Sequence, residues 1–158
     1  MNRLVMIGSP VLLIVALVVV AMAPIGPLPG FFIGGEPTPV PEEWGNTLDV
    51  DVIELEVATG ALPRVVVIWM VQFDGDLHVV GSNDSGWVSG IGAGSPVRLK
   101  MHGKTYSLIA SRLSGDAWTA ALEAYRDKYI ADNPGIFENF PSVDEARETV
   151  AVFRLAGS

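Results

Sequence analysis

Arg64-Val65-Val66-Val67-Ile68-Trp69-Met70-Val71-Gln72-Phe73 runs into Asp74-Gly75-Asp76 and then Leu77-His78-Val79-Val80-Gly81. The first ten residues form a continuous β-branched and aromatic run, which fits a central strand buried on both faces. Asp-Gly between two such runs is a hairpin signal, so Leu77 to Gly81 reads as the partner strand. Upstream, Leu48, Val50 and Val52 alternate with Asp49 and Asp51, and Ile53, Leu55 and Val57 alternate with Glu54 and Glu56. The phase slips at Val52-Ile53, which suggests a β-bulge or a change of sheet face. Downstream, Val97, Leu99 and Met101 point one way and Arg98, Lys100 and His102 the other. A turn at His102-Gly103-Lys104 then leads into Thr105 to Leu113. To this point the pattern is that of a β-meander.

Helix enters late. Trp118, Leu122, Tyr125 and Tyr129 recur at helical spacing behind Asp116, a candidate cap, and Pro134-Gly135 ends the segment. Ser142-x-x-Glu145 is a capping box for a short helix, and Thr149 to Leu155 reads as a last strand. The chain is therefore mainly β, a small barrel or curled sheet with helices at its ends.

The first 23 residues are a different object. They contain 18 apolar residues, Arg3 and no acid. Leu4 to Ala23 is uncharged and, at about 1.5 Å per residue, long enough for a hydrocarbon core of about 30 Å. Ala21-Met22-Ala23 also resembles a signal-peptide cleavage site. Pro24 directly after it and the length of the run favour a single uncleaved transmembrane helix. Only acids follow over the next 40 residues, so the positive-inside bias puts the N-terminus in the cytoplasm and the soluble part outside it. Pro24 to Pro41 holds six prolines and four glycines, a linker composition. Within it Phe31-Phe32-Ile33 reads either as an aromatic anchor in the headgroup region or as a patch packed on the domain. The expected organisation is an anchor at 1–23, a linker at 24–44 and one domain at 45–158.

Without the anchor, the remaining 135 residues carry 9 basic and 18 acidic side chains. That balance argues against nucleic acid, whose phosphates need Lys and Arg. The absence of cysteine excludes disulfides, thiolate metal sites and a cysteine nucleophile. The two histidines, His78 and His102, show no metal-ligand spacing, and lone histidines in a β-protein are commonly solvent-facing. Gly90-Ile91-Gly92-Ala93-Gly94 reads as a flexible turn before a strand, not a dinucleotide loop. Gly81-Ser82-Asn83-Asp84-Ser85-Gly86-Trp87 holds more chemistry. Its small donors and backbone N–H groups suit a phosphate nest, and Trp87 offers a flat face for a ring system. The alternative is an ordinary polar turn beside a core tryptophan. Arg126 and Lys128, beside Tyr125 and Tyr129, are either helix-end cations or a basic spot for an anion.

Taken in order, Ala58-Thr59-Gly60, Pro63 to Trp69, Phe73 to Leu77, Asn83 to Trp87 and Val97 to Lys104 resemble the split β-barrel flavin-binding superfamily. That group includes the pyridoxamine-phosphate-oxidase-like proteins and the deazaflavin-dependent nitroreductases. The likeness covers about residues 48–156. It implies a six-stranded split β-barrel with one longer and one short helix, often a homodimer. Flavin mononucleotide (FMN) or a deazaflavin would lie beside Leu77 to Ser82, contacted by Arg64, Trp69, Ser82, Asn83, Ser85, Gly86 and Trp87. Where the deazaflavin enzymes carry basic residues after Thr-Gly, this chain has Ala61-Leu62. Two functions follow as expectations. One is a membrane-anchored oxidoreductase acting on quinone-like or nitroaromatic acceptors, with no catalytic side chain required. The other is a non-catalytic barrel that binds a small molecule or a partner protein.

Overall fold

The computed structural model describes residues 29–137 and 141–157. The expected transmembrane run, Leu4 to Ala23, lies outside them. Among the described residues no helix is long and apolar enough to cross a membrane.

The chain forms β1 (Glu36–Pro37), β2 (Val52–Ala58), β3 (Pro63–Phe73), β4 (Asp76–Ser82), α1 (Gly86–Ile91), β5 (Gly94–Met101), β6 (Lys104–Arg112), α2 (Gly115–Ile130), α3 (Pro134–Phe137), α4 (Val143–Thr149) and β7 (Val150–Ala156). Six antiparallel strands close a barrel in the order β2-β3-β4-β7-β6-β5, with β5 returning to β2. Both tight hairpins obey their turn chemistry. Asp74 and Gly75 have φ of 50° and 81°, and His102 and Gly103 have 50° and 76°. Two successive left-handed residues give the turn whose twist matches the strands it joins.

The meander breaks after β4. Residues 83–93 do not turn back beside β4. They carry α1 across one end of the barrel, so that β5 pairs with β2 and β7 later fills the place between β4 and β6. Trp87, Val88 and Ile91 of α1 join Leu55, Met70, Leu99 and Phe153 in the main core. The sequence reading missed this helix and began β5 at Val97 instead of Gly94. It also extended β2 too far upstream. Thr47 to Val50 is a turn closed by the Val50 N–H on the Thr47 carbonyl at 3.0 Å, and the phase slip at Val52-Ile53 marks the start of the strand.

Along β3, Val66, Ile68 and Met70 face the barrel interior, while Val71 and Trp69 pack beneath Tyr125 and Tyr129 of α2. Burial on both faces therefore holds for the second half of β3. Val67 is 41% exposed, because α2 does not reach it. Pairing of β3 with β4 runs only from Met70–Val79 to Phe73–Asp76. Further up, the free side of β3 is met by Gly30, which exchanges two backbone hydrogen bonds with Val65 at 2.9 and 2.8 Å.

The segment read as linker is docked over its described part. Ile33 is buried, β1 pairs in parallel with β6, and Trp44 meets Tyr106 edge-on at 5.0 Å. Gly35 is obligatory here: its φ is +85°, and a Cβ would fall 2.2 Å from the Thr105 hydroxyl. The late helices match their sequence signals. Trp118, Leu122, Tyr125 and Tyr129 form the buried face of α2, although its cap position is Ser114 and not Asp116. The Ser142–Glu145 capping box is complete.

Candidate functional site

Strand parity separates the residues singled out from the sequence. Arg64 shares the inward parity of Val66 and Ile68, at the end of the barrel that α1 covers. Its guanidinium runs beside Gly86: a Cβ on that glycine would lie 3.0 Å from Nη1. Arg64 Nε is buried and has no hydrogen-bond partner. A buried cationic N–H without an acceptor costs about 1–3 kcal/mol or more, so this is a place where an anion would be stabilised. Ser95, at an inward position of β5 near the same end, has the other orphaned buried side-chain atom among the described residues, its Oγ. Nothing in the sequence pattern signalled Ser95. Its inward place depends on β5 starting three residues earlier than its alternation suggested.

The loop from Ser82 to Trp87 is largely committed to holding itself together. Ser82 Oγ accepts the Asp84 N–H at 3.3 Å, and the Ser82 carbonyl accepts the Ser85 N–H at 2.9 Å. Asn83 is used at both ends of its amide. Nδ2 donates to the Glu148 carbonyl at 2.7 Å, and Oδ1 accepts from Arg112. Ser85 takes the cap position of α1 without a side-chain cap bond, and Gly86 is exposed. Trp87 is only 7% exposed. It lies 5.8 Å from the Phe153 ring and so close to Gly81 that a Cβ there would reach within 2.2 Å of Cζ2. The flat face expected for a ligand ring is therefore turned into the core. Trp69 stands apart from all of these, five residues along β3 from Arg64 and of outward parity. It stacks on Tyr129 at 4.7 Å with an interplanar angle of 16°.

Beginning at Pro63, next to Arg64, an open groove of about 430 Å³ crosses the outer face of β2, β5 and β6. Ala58, Pro63, Pro96 and Ile109 give it apolar walls. The Glu56–Arg98 pair, with hydrogen bonds of 2.7 and 2.6 Å, supplies its polar part. That volume falls within the usual range for small-molecule sites.

Lys128 and His78 are tied into the fold. Lys128 Nζ donates to three backbone carbonyls, and burial pulls its pKa below the ordinary lysine value against the pull of Asp51 and Asp49. His78, expected at the surface, is 3% exposed. Strand pairing on both sides places it beneath Phe73, whose ring it meets edge-on at 5.9 Å. Burial lowers its pKa from 6.5, only partly opposed by the Asp76 carbonyl and the carboxylates of Asp76 and Asp74. A depressed histidine favours the neutral folded form, so its stabilising contribution is complete above pH 6.5 and is lost as pH falls through the folded value. Urea midpoints of the wild type should therefore drop more between pH 7.5 and 5 than those of His78→Leu. Parallel slopes would show that His78 does not titrate with folding.

The six-stranded closed barrel, its diverging β3–β4 pair and its helical plug define a split β-barrel. Comparison with solved structures agrees. HutZ, the heme storage protein from Vibrio cholerae, superposes with a TM-score of 0.51 at 14% identity, over 68% of this chain and 82% of that one. The FAD and heme binding protein from Mycobacterium smegmatis gives a TM-score of 0.51 at 17% identity, over 70% of this chain and 63% of that one. At such identities the likeness is one of fold. No family model and no curated protein matches the chain.

Proposed function

We propose that the chain is a membrane-anchored split-barrel protein that binds a flavin-type cofactor, with the anionic tail at Arg64 and Gly86. The ring would reach from there around the β2–β3 turn to the groove that starts at Pro63 on the outer face of the sheet. One observation carries this reading: the orphaned Nε of Arg64, buried at the barrel end beside a glycine that leaves the backbone open. The fold neighbours are in keeping with it, since one is an FAD and heme binding protein and another a heme storage protein. Both FMN and a deazaflavin carry the phosphate that Arg64 would meet. The bound ring would supply the redox chemistry, and the protein would orient it and exclude water. Quinone-like or nitroaromatic acceptors reaching the groove are the proposed substrates. The Leu4 to Ala23 run would hold the barrel at the outer face of a membrane, with the N-terminus in the cytoplasm.

A second reading is a non-catalytic barrel that binds another small molecule. It draws support from the commitment of Asn83 and Trp87 to internal contacts, and from the surplus of acid, which disfavours phosphate. Titrating the purified full chain with FMN and with riboflavin separates the two readings. Arg64→Met should weaken FMN binding about 10- to 100-fold, the value of hydrogen bonds to a charged group. It should leave riboflavin, which lacks the phosphate, unchanged. Equal affinities for both flavins in the two proteins would remove Arg64 from the site, and no uptake of either flavin would favour the second reading.

A further inference from the structure

We infer that Phe31 and Phe32 form a membrane-facing edge of the barrel and seat it on the lipid interface. This rests on the anchored reading above. Both side chains are exposed, at 46% and 56%, yet they do not belong to a free linker. Gly30 is bonded to Val65 on one side of them. On the other side Ile33 is buried, and the Gly34 carbonyl accepts from the Thr105 hydroxyl. The two rings are thus held on the barrel, next to positions that leave little freedom.

The surroundings extend the patch. The Gly30–Val65 bridge brings the residue before Phe31 to the first part of β3, and Leu62, just before that strand, is 60% exposed. Val67, two residues along β3 on the other side of the bridge, is also exposed. Phe31 and Phe32 are thus adjacent exposed rings, and Leu62 and Val67, each within three residues of Val65 along the chain, are exposed as well. Scattered single apolar residues need no explanation, but a contiguous group does.

Lipid is the occupant that the chain itself indicates. From Leu4 to Gly35 there is no Asp, Glu, Lys, Arg or His, and Glu36 is the first charge after Arg3. Seating the two rings at a headgroup layer therefore desolvates no charge on their own segment. Only residues 24–30 separate Ala23 from Phe31. At most about 3.6 Å per residue, they let the pair stand no farther than about 29 to 32 Å from the end of the apolar run. Phe side chains on a segment held at a membrane surface bury at the boundary between headgroups and acyl chains. The acidic surplus of the rest of the domain gives no attraction to anionic lipid, so the contact is apolar and does not depend on headgroup charge.

The chain lacks cysteine, so Phe32→Cys gives a unique labelling site, with Glu123→Cys on the exposed side of α2 as reference. Each full-length variant is labelled with an environment-sensitive fluorophore and reconstituted into zwitterionic phosphatidylcholine vesicles. The label at 32 should be quenched by lipid-borne spin labels and protected several-fold from aqueous iodide, whereas the label at 123 should behave in the opposite way. Adding anionic lipid should not strengthen the protection. A label at 32 open to iodide while the protein floats with the vesicles would overturn the inference and leave the anchor standing. Shielding from both quenchers would mean that protein covers the edge, and it would equally overturn the inference. Failure to float would remove the anchor and the inference together, while the flavin titration would remain an independent matter.

Discussion

Trp87→Ala is expected to destabilise the protein by about 3–5 kcal/mol, the range for removing a buried large aromatic. The indole closes the barrel end beneath α1, touches Phe153, and lies against the bare backbone of Gly81. Truncation leaves a cavity that the six-residue α1 cannot collapse into without dragging the loop tied to the end of α4 through Asn83. The converse change tests the same fit. Gly81→Ala puts a methyl 2.2 Å from Cζ2 and should cost about 1–3 kcal/mol by overpacking. Urea unfolding with an unchanged m-value is the measurement. A Trp87→Ala protein within about 1 kcal/mol of wild type that loses flavin uptake would show the indole to be a ligand surface. A strongly destabilised protein shows it to be core.

Legibility followed the range of the forces involved. The hairpin at Asp74-Gly75 was readable because two left-handed residues in succession are a local requirement. The Ser142–Glu145 box was readable because it closes within one helical turn. The face of α2 could be read because four large residues repeat at one spacing. The helix at Gly86–Ile91 was not, since six residues with two glycines have little intrinsic helicity. That segment is helical because Trp87, Val88 and Ile91 are buried together over the barrel end, which is a tertiary cause. The crossover of β5 to β2 depends on that helix and was hidden with it.

The same distinction explains the site. Composition pointed to Ser82, Asn83 and Trp87 as groups able to bind a ligand, but composition cannot say what already occupies them. Arg112 and the Glu148 carbonyl, 29 and 65 positions away in sequence, take both ends of the Asn83 amide. Arg64, by contrast, came from the family resemblance, and the fold leaves its Nε without a partner. Trp69 came from the same resemblance, and strand parity alone sends it to the other face.

Lys128→Met is expected to cost about 2–4 kcal/mol, more than a surface lysine should. Its ammonium donates to the carbonyls of Thr47 at 3.3 Å, Val50 at 2.5 Å and Met70 at 3.0 Å. It thereby joins the turn before β2 to the middle of β3. The neighbouring Tyr129 hydroxyl accepts the Met70 N–H at 3.2 Å and faces the carbonyls of Asp51 and Met70 at 2.8 and 2.6 Å. Methionine preserves the length and apolar contacts of the stem and removes the three donors. Each carbonyl then loses a charge-assisted hydrogen bond in a half-buried place, and although Thr47 keeps the Val50 N–H and Met70 the Tyr129 hydroxyl, that is the costly side of the exchange. The Lys100–Glu54 pair provides the scale. At 2.7 Å and partly exposed, it should be worth about 0–1 kcal/mol in a Lys100→Met comparison. Amide exchange should quicken for residues 47–52 in Lys128→Met and stay unchanged there in Lys100→Met. Equal losses in the two variants would mean that Lys128 is merely a solvated helix-end cation, and the turn before β2 would then owe its place to Val50 packing alone.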